Sequence, residues 1–191
     1  MKRVKILSVF LIAVLMLSGC SARQNAEQDF ENIMNAFKTA DKTKINRYYD
    51  MAKVSEFLDS DFSAELLNTL KKMDYRIISA EEQEDKNVKI SVEITTVDFS
   101  KIVSSFLIEV EKLINSESYK VKIPYMIDEE YQEIMHELML KAMNECDEKA
   151  TDTTEVLMVK TEDGTYKIGG NSNEFLGTLF KNLSETVQSF T

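Results

Sequence analysis

Val88-Lys89-Ile90-Ser91-Val92-Glu93-Ile94-Thr95 alternates apolar and polar residues without a break. In an extended chain successive side chains point to opposite faces. This segment therefore predicts a strand with one face buried and the other wet. Upstream, Tyr75-Arg76-Ile77-Ile78-Ser79 reads as a second strand, and Glu81 to Asn87 supplies a polar turn. The two runs predict an antiparallel hairpin. Further along, Glu155 to Lys160 and Thr165 to Ile168 flank Glu162-Asp163-Gly164-Thr165. Asp-Gly between apolar runs is a strong local hairpin signal, so a second hairpin is expected here.

Around these hairpins the apolar period changes to that of a helix. Phe30, Ile33, Met34, Phe37 and Ala40 predict an opening amphipathic helix, with Asp41-Lys42-Thr43 as its break. Ile45, Tyr48 and Tyr49, then Val54, Phe57 and Leu58, suggest short helices. Ser63 reads as the N-cap of a helix carrying Leu66, Leu67 and Leu70. Between the hairpins, Phe99, Ile102, Val103, Phe106, Leu107, Val110, Leu113 and Ile114 predict one helix, with Ser100 as its cap. Tyr131, Ile134, Met135, Leu138, Met139, Ala142, Met143 and Cys146 predict another, and Tyr119 to Ile127 connects them. Asp128, Glu129 and Glu130 suit the positive end of that second helix dipole. After Gly169-Gly170, a final helix carries Phe175, Leu176, Leu179, Phe180, Leu183, Val187 and Phe190. Segregated strands and helices imply an α+β fold, a curved antiparallel sheet of about four strands (two hairpins) packed on one face against amphipathic helices.

The chain has 191 residues, with 43% hydrophobic and 29% charged. Those values suit one ordinary globular domain. Only 5 Gly and 1 Pro disfavour a many-turned sandwich or barrel, and 2 Cys cannot build a disulfide framework. A net charge of −10 argues against nucleic-acid binding, which draws on clustered cations.

The amino-terminal residues have their own pattern. Lys2, Arg3 and Lys5 precede the apolar run Ile6 to Leu17, broken only by Ser8, and Leu17-Ser18-Gly19-Cys20 follows. The run would span roughly 18 Å as a helix, too short for a ~30 Å hydrocarbon core. It reads as the apolar region of a signal peptide. Leu17-Ser18-Gly19-Cys20 resembles the lipobox of bacterial lipoproteins. That resemblance implies diacylglycerol attachment to the Cys20 thiol, cleavage before Cys20, and a mature chain beginning there. The expected organisation is a signal peptide over 1–19, a lipidated tether over 20–26 and a single α+β domain over 27–191. An extended Ser21–Glu27 would reach some 25 Å at ~3.5 Å per residue. Loss of 1–19 removes three cations, leaving 20 against 33 acids and a net charge of −13. Such a body is repelled by anionic lipid, so acyl chains rather than a basic patch would hold it at the membrane.

The opening helix ending at Ala40-Asp41, the hairpin Tyr75–Thr96 and the run from Val156 to Lys160 into Asp163-Gly164-Thr165-Tyr166-Lys167-Ile168 together resemble small bacterial lipoproteins of the nuclear-transport-factor-2-like (cystatin-like) superfamily. Tyr166 stands where Trp is usual in that family's last hairpin. The resemblance implies a cone, a curved sheet wrapped around a helix, often with a pocket. It does not assign a function.

No motif for catalysis stands out. His136 is the sole histidine, and Leu140 occupies the position where a zinc-protease helix carries its second His. Cys146 falls on an apolar stripe and reads as a buried small residue. Met135, Met139 and Met143 recur at i+4 and read as core packing. Glu81-Glu82-Gln83-Glu84-Asp85, Asp59-Ser60-Asp61 and Glu162-Asp163 lack calcium-loop spacing. Tyr48, Tyr49, Tyr119, Tyr125 and Tyr131 could line a pocket or partner surface. The expectation is thus a non-enzymatic lipoprotein on the extracytoplasmic face of a cell membrane, without cofactor or metal. Its anchor is Cys20, and its domain binds a small ligand in the cone or a partner protein. A structural or stress-related envelope protein acting as a homodimer through the sheet is the alternative. An enzyme with its site in the cone is the third reading.

Overall fold

The computed structural model describes residues 21–48, 61–116, 128–170 and 172–181. The elements in chain order are α1 (21–38), α2 (Lys42–Tyr48), α3 (Asp61–Thr69) with a 3₁₀ turn (Leu70–Lys72), β1 (Asp74–Glu82) and β2 (Val88–Val97). Then come α4 (Phe99–Asn115), α5 (Asp128–Glu145), β3 (Lys149–Lys160), β4 (Tyr166–Gly169) and α6 (Ser172–Leu179). The fold is α+β, and the strands form one antiparallel sheet in the order β1-β2-β3-β4.

The alternation in β2 does what its sequence requires. Val88, Ile90, Val92 and Ile94 are fully buried, while Lys89, Ser91, Glu93 and Thr95 line the opposite face. On β1 the inward positions change parity. Tyr75 and Ile77 pair with Ile94 and Val92, but Ala80 and Glu82 pair with Ile90 and Val88. A bulge between Ile77 and Ser79 absorbs the extra residue, which leaves Ile78 exposed and bends the strand. The outer face is polar. Arg76 Nη2 meets Glu93 Oε1 at 3.1 Å, Lys89 Nζ meets Glu155 Oε2 at 2.7 Å, and the Thr95 and Thr151 hydroxyls lie 2.8 Å apart.

Helix α1 closes the inner face. Ala26, Phe30, Ile33, Met34 and Phe37 recur at helical spacing and are buried. Phe30 meets Tyr75 and Phe175 edge-on, each at 6.2 Å, and Phe37 meets Phe175 at 6.0 Å. Aromatic edges are attracted to aromatic faces, so one trio joins α1, β1 and α6. The expected concavity is therefore filled by side chains in this region. The segment expected as an extended tether is helical from residue 21, and Ala26 is already in the core. Six helical residues rise only about 9 Å, so this stretch has a much shorter reach than an extended one.

Several local expectations shift. Asp98, not Ser100, caps α4, its carboxylate accepting from the Ser100 N–H at 3.0 Å. Ser63 lies inside α3 rather than at its start. Strand β3 begins six residues before Glu155, because Lys149–Thr154 pairs with the second half of β2 although it lacks apolar alternation. The stretches 49–60, 117–127 and 182–191 of the expected helices and connector lie outside the described residues.

Hydrogen bonds tie the two hairpins together. Asn87 Oδ1 accepts from the Lys160 N–H at 3.1 Å. The Tyr166 hydroxyl donates to the Lys86 carbonyl at 3.2 Å, and the Tyr166 N–H donates to Asp29 Oδ2 at 2.8 Å. Asp163 Oδ1 accepts from the Thr161 and Thr165 hydroxyls, holding its pKa at about 2, while Gly164 takes the left-handed conformation the turn needs (φ +87). Gly169 packs so close to Val159 that an added Cβ would collide with its stiff, β-branched side chain. Gly169→Ala is expected to lose about 1–3 kcal/mol through overpacking, read as a lower urea midpoint at unchanged slope.

Candidate functional site: a helical arm on the sheet

Strands β2 and β3 are antiparallel neighbours, with Val97 opposite Lys149. The helices between them thus leave and re-enter the sheet side by side. At that root the Asp98 N–H donates to the Glu148 carbonyl at 3.0 Å, and the Phe99 N–H donates to the Lys181 carbonyl at 3.2 Å. Phe99 and Ile102 at the start of α4 are buried, as are Ala142, Met143 and Cys146 at the end of α5. Phe99 also meets Phe180 edge-on at 6.0 Å. Lys72 fixes the other leg. Its ammonium donates to the carbonyls of Asn144 (3.2 Å) and Cys146 (2.9 Å) and to Asp147 Oδ1 (2.8 Å). A cation at a helix C-terminus satisfies carbonyls that have no partner within the helix.

Away from the root, the pair is held by Glu109. Its carboxylate accepts from Lys112 Nζ at 2.6 Å and, across the pair, from Lys141 Nζ at 2.9 Å. Those two ammonium groups hold its pKa at about 2. A depressed carboxylate pKa stabilises the fold above the unfolded value, here 4.5, and that contribution disappears as the pH falls toward 2. The thermal midpoint of the protein minus that of Glu109→Gln should therefore be constant above about pH 5 and shrink toward zero near pH 2.

Large apolar side chains on this arm face water. Leu107 is 44% exposed, Ile108 52%, Ile114 46% and Tyr131 43%. Leu107 and Ile114 are two turns apart and share a stripe. At 100° per residue they lie roughly 140–160° around α4 from Glu109, on the side away from the ion pair. Single exposed apolar residues are ordinary, but four on one pair of helices mark a surface that other molecules can cover. Helix α5 adds charge. It carries six acids and one lysine, net −5, half of the formal charge of the chain.

The residues singled out in the sequence do not converge. Cys20 lies outside the described residues. Cys146 is buried, its Sγ 3.6 Å from Glu148 Oε2, and burial pushes its thiol pKa up, which disfavours the nucleophilic thiolate. Met143 is buried and Met139 packs partly buried against the core, whereas His136 is exposed on α5. The acids Glu81 to Asp85 lie on the exposed β1–β2 turn and end of β1. Tyr48 is half-buried and Tyr131 exposed; Tyr49, Tyr119 and Tyr125 are outside the described residues. Among the described residues no three His, Cys, Asp or Glu side chains form a group that could hold a metal ion. Also among them, no helix is long and apolar enough to cross a membrane.

The exposed arm itself was missed. Helical spacing placed Leu107 and Ile114 on the core stripe with Phe99 and Ile102. The signal was there in the adjacent pairs Leu107-Ile108 and Leu113-Ile114. Neighbours on a helix diverge by 100°, so such pairs widen the apolar face beyond what one packed surface covers.

No family model matches this chain, and no curated protein matches it at a significant level. Among solved structures, a candidate lipoprotein (YcdA) from Bacillus subtilis subsp. subtilis str. 168 matches with a TM-score of 0.47 and 15% identity. The match covers 79% of this chain and 47% of that one, so the chain spans less than half the length of that protein.

Proposed function

We propose that this chain is a lipoprotein held on the extracytoplasmic face of a cell membrane through acyl groups on Cys20, and that its helical arm docks a partner protein. The arm's half-exposed apolar side chains, Leu107, Ile108, Ile114 and Tyr131, carry the docking part of the reading. The anchoring part rests on Lys2, Arg3, Lys5, the short apolar run and Leu17-Ser18-Gly19-Cys20. A cone of the nuclear-transport-factor-2-like kind would offer its concavity to a small ligand. Here Phe30, Phe37 and Phe175 pack where such a ligand would sit, so a protein on the arm is the better-supported occupant. Dimerisation through the outer sheet face is less favoured, because that face is polar and its Arg76, Glu93, Lys89 and Glu155 already pair within the chain. The reading assigns the domain no catalysis, cofactor or metal.

A photoreactive amino acid placed at Ile108 in the membrane-bound protein tests the docking part. A discrete adduct with another protein, absent when the label sits at Lys167 on the exposed side of β4, supports it. Adducts only to lipid, or none from either position, would remove its support.

A further inference from the structure

We infer that residues 182–191 act as a strap over the inner half of the arm, laying Leu183, Val187 and Phe190 on the face of α4 formed by Val103, Leu107 and Val110. The strap goes beyond the docking reading and does not depend on it. What it leaves to a partner is Ile108, Ile114 and Tyr131.

The point at which the chain enters this segment is fixed at the root. The Lys181 carbonyl accepts from the Phe99 N–H at 3.2 Å, and its ammonium donates to Asp152 Oδ2 of β3. Phe180 lies edge-on to Phe99 at 6.0 Å. Residues 182–191 therefore begin at the foot of α4, on the side to which Phe99 points. At 100° per residue Val103, Leu107 and Val110 fall within roughly 80° of Phe99 around the helix, whereas Ile108 falls opposite it. Val103 and Val110 are half-buried and Leu107 is 44% exposed, so this apolar face is only partly covered.

The segment suits that face. Leu183, Val187 and Phe190, at i, i+4 and i+7, predict one apolar stripe. Glu185 is the only charged residue between 182 and 191, so little charge would lose its water on contact. Length then selects the target. A helix over 182–191 reaches about 15 Å, and Leu107 stands about 12 Å along α4 from Phe99, but Ile114 stands about 22 Å along it. The outer face of the sheet is a poor competitor, because its Arg76, Glu93, Lys89 and Glu155 pair with one another.

Replacing Phe190 by p-benzoylphenylalanine keeps an apolar aromatic side chain and reports its neighbours. The full-length lipidated protein is illuminated in neutral phosphatidylcholine vesicles as an equal mixture of isotope-labelled and unlabelled chains, and adducts are mapped by mass spectrometry. The expected product joins position 190 to the stretch 103–110 within one chain. Leu107→Ser should lower its yield about threefold, and Leu183→Ser with Val187→Ser about fivefold. Ile114→Ser should change little. In the Leu183→Ser, Val187→Ser variant, the amides of 103–110 should exchange hydrogen about threefold faster, with those of β2 unchanged.

Adducts only to the sheet, to α5 or to lipid overturn the strap, as does the absence of any adduct or a yield that ignores Leu107→Ser. An adduct joining a labelled to an unlabelled chain gives the face to a second copy and overturns it too. The photoreactive label at Ile108 reports on the docking reading separately, and its outcome stands whether or not the strap is found. Matching circular dichroism spectra of Leu107→Ser and Ile114→Ser separate a lost contact from lost folding.

Discussion

Phe30→Ala is expected to remove about 3–5 kcal/mol of stability, a large share of the ~5–15 kcal/mol that holds a domain of this size folded. Phe30 is fully buried and sits at the junction of three elements, edge-on to Tyr75 of β1 and Phe175 of α6. Truncation loses the transfer energy of the ring and leaves a cavity. The surroundings cannot easily collapse into it, because Ile33, Met34 and Phe37 on the same helix are already packed. Urea denaturation followed by circular dichroism measures the loss. Phe30→Leu fills most of the space and should recover part of it. A cost below about 1 kcal/mol for the alanine variant would mean that α1 is not part of the cooperative core.

Cys20→Ala is expected to have the largest effect on location. Without the thiol no diacylglycerol can be attached. Labelled palmitate should fail to enter the protein at all, and the mature acylated species should vanish from the mass spectrum. Each buried methylene contributes ~0.8 kcal/mol, so one chain anchors marginally while two or more hold firmly. A body that would carry a net charge of −13 after loss of 1–19 gains no net attraction to anionic lipid in their place. Protein that still carries label, or that remains processed and membrane-bound, would refute Cys20 as the anchor.

Where one physical rule dominated, the fold was legible. Strict alternation in β2 gave its buried face residue by residue, and Asp163-Gly164 marked the turn that Gly164 makes with positive φ. Legibility failed where partners distant in sequence decide the outcome. Lys149–Thr154 is a strand because β2 offers it hydrogen bonds, and Thr154 is buried despite its hydroxyl. Asp98 outcompeted Ser100 as a cap because its carboxylate reaches the Ser100 N–H. For the candidate site, the lipobox-like run from Leu17 to Cys20 lies outside the described residues. The arm was read as core, since periodicity reports which residues share a face and not whether anything covers it.

The paired legs at Asp98 and Glu148 separate two quantities that most folds couple. Residues gained or lost beyond that point alter how far the helices project, about 5.4 Å for each turn added to both. The strand register, Val97 against Lys149, need not change. Reach is thus an adjustable dimension: the same sheet could carry a contact surface at different distances by lengthening or trimming its mast.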